Sequence, residues 1–188
     1  LPVTLGGVLM LFAGAMLVPL AFAHFGADAA LLAYDEAIVV TFASGLALFL
    51  VGRRSRRELL PRDGFLLVSL VWTVLPAFGA LPLLFHIPGL SITDAYFEAV
   101  SGLTTTGATA LTGLEKLPLS INVWRCFMVL LGGMGILVLA VAILPLLGVG
   151  GSQLFKAETP GPMKDQKLTP RIAETARGLW AVYFAIAL

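Results

Sequence analysis

The chain reads as an all-α integral membrane protein, and three features of its sequence predict this. Its residues are 59% hydrophobic and only 12% charged, about half the charged share of a soluble domain, and the mean hydropathy is +0.96. The apolar residues gather in stretches suited to the hydrocarbon core, which a helix of about 20 residues crosses. The basic residues cluster in the segments after alternate stretches. A formal net charge of +1 leaves no electrostatic footprint for a nucleic-acid partner. The single cysteine, Cys126, excludes an intrachain disulfide and reads as a small buried hydrophobe.

Val3 to Phe25 is the first span. It lacks a basic leading region, is long for a signal peptide and is followed by further spans, so it reads as a transmembrane helix. Ala37 to Gly52 is the second and is shorter, with Asp35, Glu36 and Arg53 extending polar groups to the interface. Gly64 to Phe85 is the third and carries Pro76 and Pro82, which membrane helices tolerate where neighbours or water satisfy the freed carbonyls. Cys126 to Gly148 is the fourth, and a fifth begins near Ala176. The opening on Leu1-Pro2 and the apolar segment that stops at Leu188 read as a fragment.

Lys and Arg in short loops near helix ends stay on the cytoplasmic side. Arg53, Arg54, Arg56, Arg57 and Arg62 follow the second span, and Lys156, Lys164, Lys167 and Arg171 follow the fourth, so both loops are expected inside. The loop from His24 to Glu36 holds Asp28, Asp35 and Glu36 without Lys or Arg and is expected outside. The N-terminus is then cytoplasmic and residues 86–125 lie on the outer side.

Ile87 to Ile121 must begin and end on that one face although it contains hydrophobic stretches, which fits a re-entrant loop. Ser91 or Thr93 is placed to cap a short helix with Asp94 near its positive end, and Ala95, Tyr96, Phe97, Ala99, Val100 and Leu103 give it an apolar surface. At about ten residues it is too short to cross. The chain then turns polar at Thr104, Thr105 and Thr106, Gly107 supplies the freedom to turn back, and Leu114 to Pro118 leads out. Non-helical backbone at membrane depth survives only where it is buried in protein or lines water. Carbonyls left unpaired there replace the hydration shell of a monovalent cation, as in potassium filters. Thr104, Thr105, Thr106, Gly107 and Ala108 suit that task, with the hydroxyls adding ligands or tying the loop down. A structural loop in which Thr and Gly only make a turn remains the alternative from these residues alone.

The stretch Thr93-Asp94-Ala95-Tyr96-Phe97-Glu98-Ala99-Val100-Ser101-Gly102-Leu103-Thr104-Thr105-Thr106-Gly107-Ala108-Thr109 resembles the first pore loop of the Trk/Ktr/HKT potassium transporter superfamily. Gly132-Gly133-Met134-Gly135-Ile136, continuing through Ala140 to Pro145 and Ala157 to Asp165, is similar to the bacterial TrkH-type branch, as is Leu168 to Ala176. The likeness covers essentially the whole chain. It implies four membrane-pore-membrane repeats around a pseudo-fourfold pore, preceded by an extra helix pair. Residues 1–62 then match the leading pair with its basic loop, and 63–150 the first repeat with its pore loop at about 90–118. Residues 151–175 match a cytoplasmic connector, and 176–188 the start of a second repeat. Thr105, Thr106, Gly107, Ala108 and Thr109 fall on the family's first filter segment, Gly107 on its signature glycine, with potassium at the backbone carbonyls of Thr105, Thr106 and Gly107. The other three filter segments and the family's intramembrane gate lie outside this chain.

The resemblance further implies potassium uptake across the bacterial inner membrane, driven by the membrane potential and any coupled ion gradient, as in symport. It implies a transport protein rather than an enzyme, with potassium as substrate and no cofactor, a homodimer in membrane lipid, and a cytoplasmic nucleotide-binding regulatory subunit of TrkA type. Lys156, Glu158, Lys164, Asp165 and Lys167 lie on the face where that subunit would dock. A noncatalytic membrane scaffold or receptor with an outer loop is the competing class.

Other residues carry two readings each. Arg125, beside Trp124, either bonds the loop's carbonyls or anchors the interface. Glu98 either draws cations to the mouth or bonds nearby backbone or Arg125. His24 and His86 read as ring residues at span ends rather than a metal pair. Ser101-Gly102 lacks a neighbouring base for a serine hydrolase. Gly132, Gly133 and Gly135 read as packing glycines.

Overall fold

The computed structural model describes residues 1–53, 61–143 and 168–187, which form helices, turns and loops with no strand among them. The helices are α1 (Pro2–Ala15), α2 (Leu17–Phe25), α3 (Leu31–Arg53), α4 (Pro61–Gly79), α5 (Leu81–His86), α6 (Ile92–Leu103), α7 (Leu119–Ile143) and α8 (Leu168–Ala187). Four helical segments are long and apolar enough to cross a membrane: Pro2–Phe25, Leu31–Arg53, Asp63–His86 and Leu119–Leu139. The chain is an all-α integral membrane protein. The basic loop at Arg54, Arg56 and Arg57, and the connector bearing Lys156, Glu158, Lys164, Asp165 and Lys167, lie outside the described residues.

Among the described residues the first four expected spans are present with shifted ends, and the fifth position holds a helix that is not among the four segments apolar enough to cross. The first is interrupted at Met16, one turn ahead of Pro19, whose ring has no amide hydrogen to offer the carbonyl of Ala15. The third is interrupted at Ala80, just before Pro82 in the first turn of α5. The second is longer than expected, 23 residues from Leu31, because Asp35 and Glu36 sit on the exposed side of a helix whose other side buries Ala33, Tyr34 and Ala37. The fourth starts at Leu119, seven residues before Cys126, so Asn122 and Arg125 are intrahelical. The last helix starts at Leu168 rather than near Ala176.

The chain forms two compact units, Leu1–Leu130 and Leu131–Leu188. In the first, α1 lies along α3 at backbone contact. A side chain at Gly6 would stand 2.5 Å from the Gly45 carbonyl oxygen, one at Gly45 2.9 Å from that of Gly6, and one at Gly52 2.7 Å from the Val3 nitrogen. Small residues let membrane helices gain close van der Waals packing where water supplies no driving force.

Helix α6 packs on α4 and α5 and meets α7. The Tyr96 hydroxyl donates to the Thr73 carbonyl at 3.0 Å, in the turn of α4 before Pro76. Met128 of α7 fills the space above Gly79 and Gly102. Trp124, fully buried, donates its indole N–H to the Gly79 carbonyl at 2.9 Å. The Trp-Arg interfacial anchor is therefore corrected: Trp124 is a core residue, and Arg125 one position on faces α6.

Asp28 joins two helix starts. One carboxylate oxygen accepts from the Ala30 N–H at 2.8 Å and the other from the Ser120 N–H at 3.1 Å. Partial burial works against its ionisation, but those two N–H groups and the nearby His86 hold the carboxyl below its ordinary value. The Tyr34 hydroxyl donates to the Ser120 carbonyl at 2.9 Å. In the second unit, the Tyr183 ring occupies the space beside Gly133, and the Trp180 indole donates to the Met134 carbonyl at 3.4 Å.

Candidate functional site

The polar run between α6 and α7 is built from the start of α6 onward. Ser91 is the N-cap: its hydroxyl oxygen accepts from the Asp94 N–H at 3.0 Å, and the hydroxyl donates to the Asp94 carboxylate at 2.7 Å. Twelve residues later α6 stops in a two-bond C-terminal closure. The Thr106 N–H reaches the Ser101 carbonyl and the Thr105 N–H the Gly102 carbonyl, both at 2.9 Å, with Thr105 left-handed at φ +58°. This is the Schellman arrangement, whose left-handed position normally takes glycine. A β-branched residue there is strained, and such strain gathers at functional sites.

Gly107 is left-handed as well, at φ +73°, while Thr106 between them is not. In an ordinary strand successive peptides face opposite ways; alternating the sign of φ turns them the same way. The Gly107 N–H points back to the Ser101 carbonyl at 3.4 Å. The amide hydrogens of Thr105, Thr106 and Gly107 thus all turn toward the end of α6. Among the described residues, the carbonyls of Thr105, Thr106 and Gly107 accept no hydrogen bond, and all three residues are exposed. Such a concentration of unpaired carbonyl dipoles suits a cation.

The next two residues are held from behind. The Ala108 carbonyl accepts from the buried Ser101 hydroxyl at 2.6 Å. The Thr109 hydroxyl lies 3.0 Å from both oxygens of Glu98, and the Ala110 N–H donates to Glu98 Oε2 at 3.1 Å. Glu98 is 3% exposed. Its charge is met by Arg125, with Nη2 at 2.6 Å and Nε at 2.7 Å from Oε1. Arg125 Nη1 also reaches Asn122 Oδ1 at 3.4 Å, and Asn122 Nδ2 donates to the Leu114 carbonyl at 2.9 Å. A cavity of about 110 Å³ lies behind the loop, lined by Glu98, Ser101, Gly107, Ala108 and Arg125 among others.

The five residues singled out from the sequence, Thr105 to Thr109, are contiguous and exposed; among the described residues the Ala108 carbonyl is engaged by Ser101, Thr109 is held through its hydroxyl, and the carbonyls of Thr105, Thr106, Gly107 and Thr109 accept no hydrogen bond. The open readings of Glu98 and Arg125 resolve together. Glu98 bonds loop backbone and Arg125, and Arg125 reaches the loop through Glu98 rather than through carbonyls of its own. Most hydroxyls tie the loop: Thr104 Oγ1 bonds the Val100 carbonyl and lies 2.8 Å from Thr106 Oγ1. Sequence reading missed Ser101 as an anchor. The available signal was its spacing, three residues after Glu98, which puts both on one face of α6.

The family model described as TrkH, cation transport protein, matches residues 33–188. The Trk system potassium uptake protein TrkH of Salmonella typhimurium is 52% identical over 184 residues, covering 97% of this chain and 38% of that protein. Its Escherichia coli counterpart is 51% identical over the same shares. Among solved structures, the potassium transporter TrkH from Vibrio parahaemolyticus is similar with a TM-score of 0.80 at 44% identity, over 98% of this chain and 36% of that one. The chain spans 38% of the length of the two relatives.

Proposed function

The chain belongs to the TrkH family of cation transport proteins, and from that premise we propose that it supplies one wall of a potassium-selective filter in a potassium uptake protein. The observation that carries this reading is the set of unpaired, exposed carbonyls at Thr105, Thr106 and Gly107, with their N–H groups turned back onto α6. A potassium ion entering the filter exchanges water oxygens for these carbonyls, and selectivity follows from their number and field strength. The C-terminal end of α6 adds its negative dipole behind the loop. A receptor loop would present its side chains outward, whereas the hydroxyls of Ser101, Thr104, Thr106 and Thr109 are engaged within this one.

Residues 1–62 serve as a leading helix pair, 63–150 as the first membrane-pore-membrane repeat, 151–175 as a cytoplasmic connector and 176–188 as the start of a second repeat. Three further segments of the full-length transporter complete the ring. The protein sits in the bacterial inner membrane with a cytoplasmic N-terminus, following the placement of its basic residues. It works as a homodimer over a nucleotide-binding subunit of TrkA type, whose docking face includes the connector. Uptake is driven by the membrane potential and any coupled ion gradient, with no covalent chemistry.

The test is rubidium uptake by the full-length transporter carrying Gly107→Val. Potassium over sodium discrimination should fall at least about tenfold, equivalent to about 1.4 kcal/mol, with membrane insertion retained. Normal uptake and normal discrimination in that variant would overturn the filter assignment.

A further inference from the structure

Resting on that reading, we propose that Glu98 and Arg125 are positioning residues for ion selection, acting on the filter through Thr109 and Ala110. The free carbonyls lie between two fixed points. On the entry side, Thr105 and Thr106 are pinned to the end of α6 by the bonds to Gly102 and Ser101. On the exit side, no backbone ladder holds Thr109 and Ala110; their bonds go to the Glu98 carboxylate instead. Glu98 is itself fixed by two nitrogens of Arg125 on one of its oxygens, and Arg125 stands on α7. The distance between entry and exit anchors sets how far Thr105, Thr106 and Gly107 can close around an ion.

The placement of charge argues the same way. A carboxylate meant to attract cations would face the mouth unpaired, but Glu98 is buried and compensated. A buried ion pair is weak evidence of stabilisation, because desolvation offsets most of the attraction, and conformational specificity is the role proposed for this one. Here the pair, together with the Ser101 hydroxyl on the Ala108 carbonyl, holds this strand of loop at a set distance from α6. Releasing that strand lets the carbonyls relax around a smaller ion, so sodium gains on potassium while the pore remains.

The test uses the full-length transporter with Glu98→Gln, Thr109→Val, Thr109→Ser and the Glu98→Gln/Thr109→Val double variant. Uptake of potassium and sodium is normalised to the transporter inserted in the membrane. Removing the Thr109 hydroxyl should lower potassium over sodium discrimination about fivefold, the scale of one lost hydrogen bond. Thr109→Ser should restore it, and the double variant should be no worse than the worse single one, because the two residues share one interaction. Thr109 is exposed, so its variants carry the test even if Glu98→Gln fails to accumulate. Unchanged discrimination in Thr109→Val, alongside a selective parent and a defective Gly107→Val, overturns the positioning role and leaves the filter reading intact. A Thr109→Ser variant as defective as Thr109→Val overturns it too. A parent with no potassium uptake removes both.

Discussion

Thr105 and Gly107 share a left-handed backbone but differ in what it costs them. Thr105 holds a β-branched side chain at φ +58°, a conformation that costs an L-residue roughly 1–2 kcal/mol. Gly107 at φ +73° has open space where a side chain would go, so its restriction is conformational rather than steric. Opposite signs follow for the full-length protein in thermal unfolding: Gly107→Ala loses about 1 kcal/mol, and Thr105→Gly loses nothing or gains up to about 1 kcal/mol. A loss in both would mean that the strain at Thr105 is already compensated by a side-chain contact. Gly107 was legible in the sequence because glycine is the residue that marks a reversal in a polar run. Thr105 was not, since a β-branched residue is an outlier in that conformation. Glu98 was legible only as a choice between drawing cations and bonding backbone or Arg125, because its partners lie 11, 12 and 27 residues away in sequence.

At the scale of elements, the contact of α1 with α3 depends on glycines whose partners are main-chain atoms. Replacing Gly45 by Val forces backbone apart where 2.9 Å is available, and overpacking of this kind costs about 1–3 kcal/mol. Gly7→Ala and Gly14→Ala face no atom within 4 Å and should unfold at or slightly above the parent temperature, since alanine is the better helix former. The Asp28 link between the starts of α3 and α7 predicts a pH dependence. Its carboxyl is held below the ordinary 3.8, so it stabilises the fold above that pH and ceases to as pH falls through its lower folded-state value. Asp28→Asn should therefore flatten the acid limb of a stability profile below pH 3.8, and an unchanged limb would remove Asp28 from that role. Hydropathy located the first four spans but not their ends. It places the boundary at the first charge, whereas Asp35, Glu36 and Arg125 sit inside helices: the first two on the exposed side of α3, the third paired to Glu98. The interruptions at Met16 and Ala80 follow from Pro19 and Pro82, but proline inside an apolar run does not by itself say whether a membrane helix breaks or continues, as Pro76 within α4 illustrates.

For the whole molecule, membrane character and the order of the spans were legible from composition and charge alone, because the bilayer sets both helix length and the side on which basic loops remain. The expectation of a re-entrant segment came from topology, since a stretch expected to begin and end on one face yet carrying apolar runs fits a dip and return. What topology does not contain is the direction of each carbonyl, which depends on two positive φ values and a buried carboxylate. The proposed filter wall therefore consists of the carbonyls of Thr105, Thr106 and Gly107, with that of Ala108 withheld by its bond to Ser101. The most direct measurement is anomalous scattering from rubidium or thallium ions soaked into crystals of the full-length transporter. The account predicts ion density in direct contact with the carbonyl oxygens of Thr105, Thr106 and Gly107, and none on Ala108, whose carbonyl remains bonded to Ser101. Density centred on the Ala108 carbonyl, or an ion-bearing pore that leaves Thr105 to Gly107 without contact, would contradict it.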